Sequence, residues 1–295
     1  MRILFFTGGT TGSGHIVLGL SVAAALKRSG TTYEAYAILS LETPFAPLAR
    51  DLGIPVITIP AEDGVMLGKE RYRESALYSA IDTFKPDVLL VDLFWFGLDA
   101  FIRDLPCRKV ILIRQVDPCF FHAHFPNGEL KFRPGDYDLI LKTEPYFDLP
   151  FPSRQIEPII IRNQDEILSR DSALADLGLS SNGRNCLFAF NGKSGEGEEA
   201  WRSFSYLEIE GWKVVRSDNR RGGLFPAVDW FAAFDMLVCG AGYSAFWEAR
   251  WFGKEAFFVP FPRQFEDQER RVALCSDYEM VRNGADEVAS MLQDL

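Results

Sequence analysis

The sequence predicts an α/β protein of two units, each a parallel sheet covered by helices, facing one another across a cleft. Three observations predict it. Short apolar runs alternate with longer amphipathic stretches, the βαβα pattern. The pattern halts at "EPYFDLPFPSRQIEP" (144–158), whose four prolines forbid a regular helix, and then restarts. Each half also opens a glycine-rich turn straight after a buried strand. A chain of 295 residues fits two medium domains. The division expected is 1–150 and 151–295.

In order, "RILFF" (2–6) reads as a buried strand, and "IVLGLSVAAALKRSG" (16–30) as a helix ending at Gly30. Strands are expected at 33–39 and 56–59, a helix at 69–84 stopped by Pro86, and strands at 88–91, 109–113 and 138–142. After the proline stretch, strands are expected at 186–190, 212–215, 236–239 and 256–260. Helices are expected at 198–209, 227–233, 244–252 and 266–276. Open sheets of this kind bind ligands at the carboxyl ends of their strands, so the chemistry belongs in the strand-to-helix turns.

Composition excludes several classes. The formal charge is −10 and the pI near 4.9, which disfavours a general nucleic-acid or anionic-membrane grip. No apolar run approaches the ~20 residues of a membrane span, and the start is too short for a signal-peptide core. Five scattered cysteines with no C-x-x-C pair argue against a disulfide framework or a cysteine zinc site. A reducing cytoplasm is expected.

Four turns carry candidate chemistry. "TGGTTGSGH" (7–15) permits close backbone approach to a ligand and places His15 at a helix start, facing the cleft. It contains no G-x-G-x-x-G, because Gly12 and Gly14 are followed by Val17. Asp92 directly follows four apolar residues, at the tip of a central strand, where it can orient a histidine. The plainer alternatives are a histidine that caps its turn and an aspartate that caps the next helix. "FNGKSGEGEE" (190–199) is not a Walker A loop, since position 187 is Leu. Its Gly192, Lys193 and Ser194 can still offer donors to phosphate. In "VCGAGYSAFWEARWFGKEAFFVPFPRQFEDQ" (238–268) a buried strand runs into Gly240 and Gly242, then a helix through Tyr243 and Ser244. Free N–H groups there form an anion site. Glu248, one turn in, is placed to accept two ribose hydroxyls, and Asp267 and Gln268 present an acid and an amide suited to sugar hydroxyls. "DYD" (136–138) precedes its strand and reads as strand-entry polarity; no metal site is expected.

Taken in this order, "GAGYSAFWEA…GKEAFFVPFP…EDQ" resembles the donor-binding half of the GT-B nucleotide-sugar-dependent glycosyltransferases, which include the plant and antibiotic enzymes and the lipid-II N-acetylglucosaminyltransferase. Gly240 stands where the plant enzymes have a phosphate-binding histidine. "GGTTGSGH" resembles the family's N-terminal turn with its base histidine, and "LLVDLF" the strand with its partner aspartate. The chain is short for this fold. The resemblance implies two Rossmann-like domains, an acceptor side at 1–150 and a donor side at 151–295. It also implies an inverting, metal-independent UDP-sugar transferase, with His15 as base and Asp92 as its partner. The fold reading gives the first sheet the order 3-2-1-4-5, which makes strands 1 and 4 neighbours. The donor is then a co-substrate and no cofactor is expected. A nucleotide-sugar hydrolase and a non-catalytic nucleotide-sugar-binding protein are the alternatives. The 115–136 stretch, with Phe120 and Phe121, reads as an acceptor-side loop.

Overall fold

The computed structural model describes residues 1–10, 12–125 and 128–294, so Thr11 of the first glycine turn and Pro126 and Asn127 of the 115–136 stretch lie outside the described residues. The first half runs β1 (Arg2–Thr7), α1 (Gly14–Arg28), β2 (Ala35–Leu41), α2 (Ala46–Asp51), β3 (Val56–Ile59), α3 (Ala76–Phe84), β4 (Val88–Asp92), β5 (Arg108–Ile113), β6 (His122–Phe125), β7 (Gly128–Lys131), β8 (Leu139–Lys142) and β9 (Arg154–Gln155). The second runs α4 (Arg170–Leu177), β10 (Arg184–Ala189), α5 (Glu196–Phe204), α6 (Tyr206–Ile209), β11 (Trp212–Ser217), β12 (Met236–Gly240), α7 (Tyr243–Trp251), β13 (Ala256–Val259), α8 (Gln268–Cys275) and α9 (Gly284–Gln293).

Two parallel sheets result, ordered β3-β2-β1-β4-β5-β8-β9 and β11-β10-β12-β13. β1 lies in the interior of the first, between β2 and β4, and is apolar on both faces. Ile3 and Phe5 pack on the α1 side and Leu4 and Phe6 on the other, all buried. Each such side chain contributes about 1.5–3 kcal/mol. The α1-side core continues without a break into the second half, through Leu187, Leu237 and Phe246. α9 returns from the second half to pack on α1, where Arg28 Nη2 donates to Asp286 Oδ1 at 2.6 Å.

Some elements differ from their sequence expectations. β2 lies two residues later than expected, because Ser40, which reads as polar, is fully buried within it. The helix expected over 69–84 begins only at Ala76. Ser75 caps it by accepting from Tyr78 N–H, and Glu62 accepts from Ala76 N–H at 2.7 Å. The 198–209 helix is two helices meeting at Ser205, and 227–233 is a 3-10 helix following Pro226. Where the sequence predicts a loop over 115–136, β6 and β7 pair antiparallel.

The register fixes the site. Thr7, the last residue of β1, pairs with Ser40 on one side and Asp92 on the other. The carboxyl ends of β1 and β4 are therefore level, and both α1 and α7 start at the cleft between the two sheets.

Candidate active site

His15 is the second residue of α1, reached from β1 through the glycine turn. Its Nδ1 lies 2.6 Å from Asp92 Oδ2. The imidazole is 18% exposed, while the Asp92 side chain is fully buried behind it. Thr7 Oγ1 donates to the same carboxylate oxygen at 2.9 Å. Asp92 Oδ1 accepts from Arg114 Nη1 at 2.6 Å. Burial by itself would raise the Asp92 carboxyl. The charges of Arg114 and His15 and the bonds from His15 and Thr7 outweigh that and hold it well below the usual carboxylate range. An ionised Asp92 makes Nδ1 the donor in this pair, so that Nε2 is the ring's acceptor atom, with Arg114 Nη2 3.4 Å from it. The close turn depends on glycine: a Cβ on Gly9 would fall 2.0–2.2 Å from the His15 ring, and one on Gly12 would fall 2.8 Å from Asn191 O.

The opposite wall comes from the second sheet. β12 ends at Gly240 and α7 starts at Tyr243, capped only by the backbone of Gly242. The first-turn N–H groups of α7 therefore point outward with the positive end of its dipole. The α1 N-terminus faces them, with Gly14 against Ser244. Neither helix carries an acidic residue in its first turn. Between them lies a cavity of about 480 Å³ whose walls include His15, Arg114, Ser244 and Glu248. That is within the usual size of a small-ligand site.

Glu248 faces this cavity one turn into α7. Its burial, with a smaller contribution from Asp229, pushes its carboxyl up to about 8. Cys239 also lines the cavity, but burial pushes its thiol up to about 12, which makes it a poor nucleophile. Gln268 lines the cavity too, beside Gly242. Its Oε1 already accepts from Phe261 N–H at 2.9 Å, so its amide group faces Glu266 and the cavity.

Other sequence candidates are placed less centrally. Gly240 and Gly192 line the cavity, and Lys193 reaches it only as an exposed rim residue. Ser194 is exposed and not part of the wall. Asp267 is exposed and caps α8 by accepting from Arg270 N–H. Tyr243 is a junction residue: its hydroxyl accepts from Ile159 N–H at 2.8 Å and donates to Thr143 O at 3.3 Å. In "DYD", Asp136 pairs with Arg103 and Arg133, and Asp138 with Arg108 and Lys109 N–H, as strand-entry polarity requires. Among the described residues no group of three or more His, Cys, Asp or Glu is placed to hold a metal ion.

Three arginines at the cleft have no counterpart in the sequence reading. Arg114 follows β5 and joins the His15–Asp92 pair. Arg263 makes a bidentate pair with Glu196 at 2.6 and 2.9 Å, beside Gly192. Arg271, fully buried in α8, bonds Glu144 of the first half at 2.6 and 3.1 Å, Ala241 O at 3.0 Å, and Glu266. Glu144 also accepts from Trp247 Nε1 and Gln115 N–H, both at 2.7 Å. This network ties the two halves together directly beneath the cavity. Arg114 was open to the rule that singled out Asp92, a charged residue straight after a buried strand.

The architecture is that of the GT-B fold, two Rossmann-like domains facing across a cleft. No family model matches the chain. A UDP-N-acetylglucosamine–N-acetylmuramyl-(pentapeptide) pyrophosphoryl-undecaprenol N-acetylglucosamine transferase of Nocardioides sp. is 26% identical, over 92% of this chain and 80% of its own. Among solved structures, the Streptomyces glycosyltransferase SsfS6 complexed with thymidine diphosphate matches with a TM-score of 0.58 at 16% identity, over 94% of this chain and 85% of its own. MurG of Acinetobacter baumannii matches at 0.51 and 15% identity, covering 100% of this chain and 90% of its own. Phytolacca americana UGT2, complexed with UDP-2-fluoro-glucose and pterostilbene, matches at 0.57 and 14%, with the same coverage. The resemblance seen in the motifs thus extends to the fold of the whole chain. Among the described residues no helix is long and apolar enough to cross a membrane.

Proposed function

We propose that the protein is an inverting, metal-independent glycosyltransferase that moves a sugar from a UDP-sugar to an acceptor hydroxyl. The observation that carries this reading is the His15–Asp92 bond of 2.6 Å, in a cavity whose far wall is the uncapped start of α7 with Glu248 behind it. The donor diphosphate lies against the N–H groups of Tyr243, Ser244 and Ala245, and Glu248 accepts the two ribose hydroxyls. Gln268 belongs to the sugar end, and Gly192 and Lys193 to the rim of the diphosphate, while Asp267 and Ser194 lie outside the cavity wall. His15 Nε2 takes the proton of the acceptor hydroxyl. The acceptor oxygen attacks the anomeric carbon from the face opposite the diphosphate, and the carbon–oxygen bond to the phosphate breaks with its electron pair. UDP leaves, and Asp92 stabilises the imidazolium. Positioned base catalysis of this kind contributes typically about 10²–10⁴-fold. The α7 N-terminus meets the charge that develops on the leaving group, which supports departure without a divalent ion. The unpaired cysteines agree with a cytoplasmic protein.

Calorimetry with UDP, GDP and dTDP, followed by UDP release from UDP-sugars with and without acceptor alcohols, tests the reading. UDP is expected to bind tightest and its release to need an acceptor, unaffected by EDTA. Release at the same rate in water alone would replace transfer with hydrolysis. UDP binding without any turnover would leave a binding protein.

A further inference from the structure

The cavity has an apolar end beside His15. Leu93, Phe94, Val116 and Phe120 of the first half and Phe265 of the second line it. The Phe94 ring centroid lies 5.4 Å from that of His15 and 6.4 Å from that of Phe120, and Phe120 stands edge-on to Phe265 at 5.1 Å. Asp117 N–H donates to Phe265 O at 2.7 Å, so this aromatic wall bridges the two halves. The chain accepts strain to put Phe94 there. Leu93, directly after Asp92, has a left-handed backbone (φ 65°), which residues other than glycine disfavour, and a Cβ on Gly8 would fall 2.9 Å from Phe94 Cγ. Phe121 turns away from the cavity, to Phe132 and Phe151. Two polar groups at this end are already committed, Arg114 to Asp92 and Glu266 to Arg271. Gln115, also in the cavity wall, is not. Its backbone N–H donates to Glu144 Oε2 at 2.7 Å, yet its Oε1 is shielded from water with no hydrogen-bond partner among the described residues. A buried acceptor atom left unpaired is unfavourable, and the soft terminal torsion of glutamine lets Oε1 turn to a ligand in the cavity.

We propose that the acceptor is a neutral, ring-sized aromatic alcohol seated among Phe94, Phe120 and Phe265, and that Gln115 selects it by accepting from a second hydrogen-bond donor on the same molecule. Aromatic rings meet edge to face or offset, so walls of this kind hold a flat ring in few orientations and bring one hydroxyl to His15. Gln115 adds discrimination. A site built to bond a substrate hydroxyl rejects the analogue that lacks it, because its own polar group is then left unpaired. The rival class is a polyprenyl diphosphate. Its flexible chain gains less from ring-to-ring contact, and it offers Gln115 nothing to accept from. The assignment rests on the proposed transfer at His15, but its test reads binding before any turnover.

The test is calorimetry on the full chain in the presence of UDP, with three probes: a naphthalenediol with hydroxyls at opposite ends, its monomethyl ether, and farnesyl diphosphate. The diol is expected to bind about two- to tenfold more tightly than the ether, the range of one hydrogen bond. Gln115→Leu should bind diol and ether alike, and Gln115→Glu, which keeps acceptor oxygens, should retain the preference for the diol. Phe265→Ala should weaken both naphthols together. Equal affinity for diol and ether in the wild type, or a preference that survives in Gln115→Leu, would overturn the role of Gln115. Should Gln115→Leu fail to fold, the wild-type pair and Phe265→Ala decide. Farnesyl diphosphate binding where neither naphthol binds would overturn the acceptor class. Diol binding as described, with no transfer to it from any UDP-sugar, would count against the proposed reaction and leave the aromatic-alcohol site standing.

Discussion

Replacing Gly9 with alanine tests how tightly the base is held. The added Cβ would lie 2.0 Å from His15 Cδ2 and 2.1 Å from Nε2, whereas carbon contacts settle at about 3.5–4.0 Å. The ring must therefore retreat by about 1.5 Å, the difference between those separations. The Nδ1–Asp92 bond, now 2.6 Å, does not survive such a move. Misplacing a reacting group by 1 Å can cost about 10²-fold, so turnover should fall by at least about that factor. Gly9 is not part of the cavity wall, and Asp92 keeps Thr7 and Arg114, so UDP affinity should hold. Overpacking a tight site costs about 1–3 kcal/mol, which thermal melting will register as a modest loss. The assay pairs steady-state UDP release with calorimetric UDP titration. Near-wild-type turnover, or an equal loss of UDP affinity, would refute the geometry proposed for the base.

Three further outcomes are expected. Burial raises the Glu248 carboxyl to about 8, so the ionised form that accepts ribose hydroxyls is lost as pH falls through that value. UDP affinity should therefore weaken by up to about tenfold per pH unit below it. Glu248→Gln should flatten that dependence and Glu248→Ala should weaken binding with the fold intact; identical pH profiles for wild type and Glu248→Gln in calorimetry would remove the ribose role. Gln268→Ala should weaken UDP-sugar binding more than UDP binding, and equal losses would make the residue structural. Arg271→Met leaves Glu144 and Glu266 without their buried cation, at a cost of about 3–5 kcal/mol; a urea midpoint within error of wild type would contradict the clamp.

The legible parts of this molecule are those where a single short pattern carries the physics. Central strands buried on both faces are continuous apolar runs, so β1, β4 and β5 stand close to where the sequence puts them. His15 and Asp92, 77 positions apart, follow from that topology, because Asp92 ends β4 and His15 follows the turn that leaves the neighbouring β1. Less legible are elements whose stability comes from their ends or their packing. α4 buries only Ala173 and Leu174 and depends on Ser169 and a left-handed Gly178 at its two ends. α9 depends on its Asn283 cap and on docking against α1. Arginine partnerships are also hidden, since Arg114 finds Asp92 22 positions away and Arg271 finds Glu144 127 positions away. Lys193 and Ser194 drew attention through the local "GKS" string, yet the cations packed against that turn are Arg263, held by Glu196, and Arg220, whose Nη2 donates to Gly192 O.

The measurement closest to the centre of the account is His15→Ala, assayed for UDP binding and UDP-sugar turnover on the same preparation. In the proposed reaction His15 acts only as the base, and α7 with Glu248 holds the donor independently of it. Turnover should therefore fall by about 10²–10⁴-fold while the UDP dissociation constant stays near wild type. Undiminished turnover in His15→Ala, or a parallel collapse of UDP affinity, would contradict the assignment of this histidine as the base.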